Sequence, residues 1–456
     1  MSKTLKIGLV TVIVVVLGGW ILSSNESVQK AAQLKSVEVI GNIAMRNMPD
    51  DVAGGFHKIP IERRQLAPNV FQASGVSNTH LIQTDDGYVL FDTGLALQVP
   101  QQMELLKEVA VGPLKHIIVS HSHADHMGGT KFWKENDTEI IAHKEYLEEQ
   151  RYLEELQPYF HGRNRTLFPW MPEKPPQIGL IAYGGVTPTI TVGYDDYEFE
   201  QGGLRFVVMS TPGAEGADNI SLWLPEQKIL FTGDTLGPLF PQFPNIFTMR
   251  GEKVRKPVEY INTLNRLIEL DIEMLVPSHH TAIQGVDNIR AALTKIRDAT
   301  KYVHDETVKG MNAGKTVYEL MDEIQLPPEL VLTQEHGKVS WAVRSIWEYY
   351  ATWFHFDSVT ELYTVPVRSM YPDLAELAGV EAIVAKAREH TAAGRPVEAL
   401  HLLEVAVAGE PANAAALTLR LTTLEGMLET AIQGGNNYEK DYLREQIKET
   451  KEALAS

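Results

Sequence analysis

The chain has 456 residues, no cysteine and a formal net charge of −18 at pH 7. That length implies two or more domains, with ample room to bury a reactive centre. The absence of Cys excludes disulfides, thiolate metal sites, cysteine nucleophiles and a lipoprotein-type anchor, and the acidic balance argues against nucleic acid as a partner.

Residues 7–22, IGLVTVIVVVLGGWIL, are apolar and uncharged behind Lys3 and Lys6, as in an export signal or membrane anchor. The run is longer than a signal core, and Leu22-Ser23-Ser24-Asn25 makes a poor cleavage site. An uncleaved anchor within residues 1–30, with the body on the extracytoplasmic (periplasmic) side, is therefore expected. From Val70 the stretches VFQASG, THLIQT and YVLFDTG read as short strands, with a turn at Asp85-Asp86-Gly87. An amphipathic helix over Val99 to Val109 leads through Gly112-Pro113 into a strand ending at Val119. Directly after it stand His121, Ser122, His123, Ala124, Asp125 and His126, followed by Gly128-Gly129. KILFTGD and EMLVPSH repeat this pattern of a strand ending in an acidic or His residue. β-rich halves separated by helices predict a four-layer αββα sandwich within residues 31–287, its strand-end loops lining one edge.

Residues 157–185 are rich in Pro, Arg and aromatics and lose periodicity, which predicts a substrate-covering loop carrying Phe160, Phe168, Trp170 and Tyr183. After about Gly285 helical spacing takes over, with Ile289, Leu293, Ile296, Thr300 and Val303 on one face, so an all-α domain is expected over residues 288–430. Within it Trp341, Ile346, Trp347, Tyr349, Tyr350, Trp353 and Phe354 read as a buried helix or a contact to a second copy. Residues 380–427 are similar to tetratricopeptide hairpins, and residues 431–456 read as a charged helical tail with a solvated face.

Imidazoles two residues apart at a strand end converge on one ion, while Asp125 and His126 face a second. Glu215, Asp234 and His279 at later strand ends complete the set. His121, His123 and Glu215 are assigned to the first ion, Asp125, His126 and His279 to the second, and Asp234 as the bridge. His280 is left as a supporting partner or a surface histidine. Without Cys the ligands are N and O, which suits two zinc ions. Such a pair lowers the pKa of a shared water towards neutrality and takes up charge on a leaving oxygen, so a hydrolase follows.

HSHADHMGG at 121–129, TPG at 211–213, TGD at 232–234 and PSH at 277–279 resemble the metallo-β-lactamase superfamily. More narrowly, TPGAEGADNISLWLP resembles the alkylsulfatase branch, with Glu215 where most relatives place a His and nineteen residues before Asp234. YVHDETVKGMNAGKTVYELMDEIQLPPEL and the helices after it are similar to the alkylsulfatase dimerisation domain. The resemblance implies hydrolysis of an alkyl sulfate to alcohol and sulfate, two Zn2+ per chain and a homodimer, with Asp125 and Asp234 as the catalytic carboxylates. It also implies sulfate recognition by Asn245 and Arg250-Gly251, a role that suits the planar, permanently charged guanidinium. Lys253, Arg255 and Lys256 would either help gather an anion or be plain surface charge.

Three features depart from that pattern. The bridging carboxylate is Asp234 where that branch usually has Glu, about three extra residues separate it from Arg250, and no room follows residue 430 for a sterol-carrier-like domain, so a preference for long alkyl chains is not expected. Two other readings stay open: a different hydrolase of the superfamily acting on a phosphodiester, lactone or β-lactam, and a membrane-anchored assembly protein with a vestigial metal domain.

Overall fold

Short, largely apolar strand segments dominate the first half of the chain. GYVLF at 87–91 and ISLWL at 220–224 are buried along their whole length, as strands covered on both faces must be. The computed structural model describes residues 26–46, 60–168, 171, 186–213 and 215–456. The apolar run at 7–22, Trp170 and Tyr183 lie outside the described residues. The chain divides into two compact units, residues 1–165 with 170–345, and residues 166–169 with 346–456.

In the first unit, β1 (Arg63–Ala67), β2 (Val70–Ala73), β3 (Thr79–Thr84), β4 (Gly87–Phe91), β5 (Leu114–Ile118), β6 (Glu139–His143) and β7 (Ile190–Val192) form a seven-stranded sheet in sequence order. β8 (Tyr197–Gln201), β9 (Leu204–Ser210), β10 (Ile220–Leu224), β11 (Ile229–Gly233), β12 (Met274–Pro277) and β13 (Ile283–Gln284) form a six-stranded sheet in the order β13-β12-β11-β10-β9-β8. β4–β5, β5–β6, β6–β7 and β11–β12 pair in parallel, each joined by a long crossover. The pleat divides the side chains: Val89, Phe91, Ile118 and Ile141 meet Phe206, Val208, Leu222 and Phe231 between the sheets. Leu90, Ile117 and Ile140 face outward onto the Val99–Lys107 helix and onto Phe132 and Trp133. Outside the second sheet the Pro257–Ile268 helix packs beside the Val286–Asn312 helix, which also meets β12 and β13. Helices therefore cover both outer faces, and the αββα sandwich expected from the sequence is present.

Two local expectations differ. Residues 157–167, read as the start of an aperiodic loop, form a helix. Pro158 sits in its first turn, where no N–H is needed, and Phe160 is buried with Tyr152 and Leu153. Residues 288–345, read from their helical spacing with the second domain, belong to the first compact unit.

The second unit is helical. Val380–Ala392, Pro396–Gly409 and Ala414–Gly434 pack as successive hairpins around Ile383, Val384, Ala387, Leu403 and Ala416. The Asn437–Ala455 helix is not solvated all round, because Leu443 and Ile447, four apart, pack onto Leu424 and Ala431. In the aromatic stretch Ile346 and Trp347 are buried, whereas Tyr349, Tyr350 and Trp353 are exposed. Among the described residues no helix is long and apolar enough to cross a membrane.

Candidate metal centre and anion site

β5, β9, β11 and β12 all end at one rim, where backbone bonds tie the sheets together: Ile220 N donates to Ser120 O at 2.8 Å and Asn78 N to Ser278 O at 2.7 Å. Asp92, just past β4 in a left-handed conformation (φ 57°), organises this rim. It accepts from Ser120 N at 2.8 Å, Ser120 Oγ at 2.9 Å and Ser278 Oγ at 2.5 Å. Its Oδ2 also lies 2.9 Å from His126 Nδ1. When an ion displaces its second proton, that ring donates through Nδ1 to Asp92 and Nε2 presents a lone pair. His279 is set in the same way, its Nδ1 donating to Val76 O, while Val76 N donates to Gln98 Oε1 at 2.7 Å. The His280 ring is exposed, but its carbonyl accepts from Gln72 and Asn78 at 2.9 and 3.0 Å and so pins the turn that carries His279.

Four ligand atoms converge as a result. His279 Nε2 is 3.1 Å from Asp234 Oδ2 and 3.7 Å from Asp125 Oδ2, and His126 Nε2 is 3.4 Å from Asp125 Oδ2 and 3.5 Å from Asp234 Oδ2. Ligands about 2.0–2.1 Å from a tetrahedral ion stand roughly 3.3–3.4 Å apart, so the spacing is that of an ion's coordination shell. His126 Nε2 and Asp234 Oδ1 are buried and make no hydrogen bond, a costly state that an ion relieves. His121 forms a second group with His126 and Asp234, their ligand atoms within 4.8 Å of one another. The residues present fit metal binding.

The electrostatics agree. Burial opposes the charge on Asp125 and Asp234, yet His126 and His279 hold both carboxyls below the usual range. Burial likewise opposes protonation of His126, but Asp234, Asp125 and Asp92 raise it well above an ordinary imidazole. His121 is pushed well down by burial and by the neighbouring His126 and His123, which keeps it neutral, as a ligand must be. The cluster thus draws in positive charge.

His123 and Glu215 sit to one side. His121 Nε2 and His123 Nδ1 are 2.8 Å apart, and His123 Nδ1 is 3.7 Å from Glu215 Oε2. Both Glu215 oxygens also accept from Arg255, at 3.0 and 3.0 Å. The turn delivering Glu215 depends on Gly213, at φ +121°, where a Cβ would stand 2.7 Å from Tyr260. Arg250 Nη2 is 3.5 Å from Glu215 Oε2 and 3.2 Å from Glu252 Oε1. Asn245 is buried, with Nδ2 3.2 Å from His336 Nε2 and Oδ1 making no hydrogen bond. The structure thus groups His121, Asp125, His126, Asp234 and His279 as metal-capable side chains, while the expected ligands His123 and Glu215 lie beside His121 in neither group, with Arg250 next to Glu215.

Several partners there were not foreseen. Asp92 ends an apolar strand just as Asp234 does, and that repetition was the available signal. Glu252, among Lys and Arg, looks like surface charge in sequence, yet it is largely buried, with Oε2 2.6 Å from Arg255 Nη2 and Oε1 3.5 Å from His123 Nε2. Burial opposes its ionisation, but Arg250, His123 and Arg255 hold its carboxyl well below the usual range. Arg255 is buried and not surface charge, whereas Lys253 pairs with Glu148 and Glu149 and Lys256 with Glu259. His336 has no motif. It arrives because the backbone at Gly337 lies on Pro244, where a Cβ would stand 2.2 Å from the Pro244 carbonyl oxygen.

Comparison with known proteins agrees with this architecture. Residues 74–279 match the model of the metallo-beta-lactamase superfamily, and residues 316–449 match that of alkyl sulfatase dimerisation. The chain therefore carries a metallo-β-lactamase superfamily domain followed by an alkylsulfatase dimerisation domain. Its homologues within that superfamily include alkylsulfatases. It is 30% identical over 305 residues to a linear primary-alkylsulfatase of Pseudomonas sp. (strain ATCC 19151), covering 61% of this chain and 56% of that protein. It is 22% identical to an (R)-specific secondary-alkylsulfatase of Pseudomonas sp., over 79% of this chain and 58% of the relative. The chain thus spans little more than half the length of these relatives. The fold matches that of the stereoselective inverting sec-alkylsulfatase Pisa1 from Pseudomonas sp. with a TM-score of 0.75 at 20% identity, over 96% of this chain and 70% of that one.

Proposed function

We propose that this chain is a metal-dependent hydrolase that cleaves an alkyl sulfate to its alcohol and inorganic sulfate, working with two zinc ions. The observation that carries the reading is the adjacency of cation and anion seats: Arg250 Nη2 and His123 Nδ1 lie 3.5 and 3.7 Å from the same Glu215 oxygen. Ions held by the two groups would supply an activated water and a Lewis acid. His121, His123 and Glu215 would hold the first ion and Asp125, His126 and His279 the second, with Asp234 shared by both. Asp92 and Val76 hold His126 and His279 in the ligating tautomer. Arg250 and Asn245 orient the anionic group beside that cluster, as a fixed guanidinium and amide do for tetrahedral oxyanions. The names of the homologues support sulfate over the other esters of the superfamily.

The same reading makes the protein a homodimer through the unit matching the dimerisation model. On the strength of residues 7–22 it also places the body outside the cytoplasm, tethered by the N-terminus. Fractionation that left the protein in the cytosol would overturn that location. The test of activity is sulfate release from one short and one long primary alkyl sulfate, with metal content measured on the same sample. Release that is abolished by chelator and restored by zinc is expected. A protein holding two metals without releasing sulfate would be another hydrolase of the superfamily, and one that retained no metal would leave only the assembly reading.

A further inference from the structure

The seat proposed for the substrate anion already contains a second carboxylate, Glu252, beside the proposed ligands Glu215 and His123. Glu252 places Oε1 3.2 Å from Arg250 Nη2 and Oε2 2.6 Å from Arg255 Nη2. Glu215 takes both nitrogens of Arg255 at 3.0 Å and stands 3.5 Å from Arg250. Two guanidiniums therefore face two carboxylates, and the pair of arginines offers no net positive charge. A seat built only to hold an anion tightly would omit the second acid.

We propose that Glu252 is a specificity-determining residue that sets how many negative charges the Arg250 seat tolerates, favouring a singly charged ester over doubly charged inorganic sulfate. The inference rests on the sulfate-ester reading above. An alkyl sulfate carries one negative charge. Its hydrolysis takes up one water, gives the alcohol and hydrogensulfate, and the latter loses its proton at neutral pH to leave a dianion. A fixed carboxylate within a few ångströms of the seat penalises the second charge again, by a factor on the order of ten at the dielectric of a partly buried site. Glu252 thereby weakens the product more than the substrate and speeds its departure. It acts through Arg250 and is not itself a catalytic residue.

The experiment measures binding, without turnover, of inorganic sulfate and of methanesulfonate, a non-hydrolysable monoanion, to the zinc-loaded full chain by calorimetry. Glu252→Gln should tighten methanesulfonate by about ten-fold and sulfate by about a hundred-fold, a change of about ten-fold in their ratio. Glu252→Asp, which keeps the charge, should retain the wild-type ratio, and Glu252→Ala should repeat the Gln result without the amide. A purely structural role would lower the melting temperature and leave the ratio of the two affinities unchanged. If Glu252→Gln and Glu252→Ala leave that ratio at the wild-type value while Arg250→Ala weakens both anions, Glu252 has no such role and the substrate reading stands. If Arg250→Ala changes neither affinity, the seat is elsewhere and both inferences fall.

Discussion

Asp92 and the Val76 carbonyl perform one task on two histidines, accepting a hydrogen bond from the Nδ1 N–H so that Nε2 faces the ion position. Asp92→Asn puts an amide donor against that N–H, and loss of such a partner typically costs about 10–100-fold in metal affinity. We expect a loss of that size in competition with a chromophoric chelator, and an unchanged affinity would remove Asp92 from this role. His80 makes a different prediction. It is buried between Phe91 and Phe231, with ring centroids 6.4 and 5.4 Å away, and neither nitrogen makes a hydrogen bond. Burial pulls its pKa down to about 4. The unfolded chain therefore binds the extra proton between about pH 6.5 and pH 4, so stability is complete above this window and is lost as pH falls through it, by about 3 kcal/mol. In metal-free protein, denaturant titrations of His80→Phe should show a correspondingly smaller loss across that window, and an equal loss would refute the assignment. Neither residue's role was legible in sequence. A lone His in THLIQT and an Asp after an apolar strand have many meanings until β3 and β4 are paired, His80 opposite Phe91.

At the scale of elements, candidate ligands at strand ends stand out in sequence because each closes an apolar run: Val119 before His121, Gly233 before Asp234, Pro277 before His279. Parallel pairing of β11 with β12 then brings Asp234 and His279 together without further information. The stretch from Asn245 to Arg255 was only half legible. Its charges are neutralised by partners distant in sequence, Glu215 among them, and periodicity carries no record of that. The meeting of loops at Gly337 is likewise tertiary, since it depends on Pro244 lying beneath. Gly337→Ala should push His336 away from Asn245 and weaken binding of methanesulfonate several-fold while metal content stays unchanged. Loss of metal in that variant would mean that the loop supports the ligands themselves.

For the whole molecule, the second unit leaves Trp353, Phe356, Leu362, Tyr363, Val367 and Leu377 exposed, more large apolar side chains than a solvated surface ordinarily leaves over so short a stretch. If these cover a second copy, Phe356→Glu with Leu377→Glu should halve the mass measured by light scattering. A wild-type mass already equal to one chain would refute the dimer. The rim has a consequence of another kind. His121, Asp125 and His126 follow a strand of the first sheet, and Glu215, Asp234 and His279 follow strands of the second, and each sheet is one uninterrupted stretch of sequence. The halves can therefore form one after the other, and an ion held by ligands from both would clasp them together. Binding of the native state alone adds about 2.7 kcal/mol at a hundred-fold excess over Kd. Chelation of a bound ion should accordingly lower the melting temperature and quicken amide exchange first along this edge, so that an ion serving the proposed chemistry would also be a stitch between the halves of the fold.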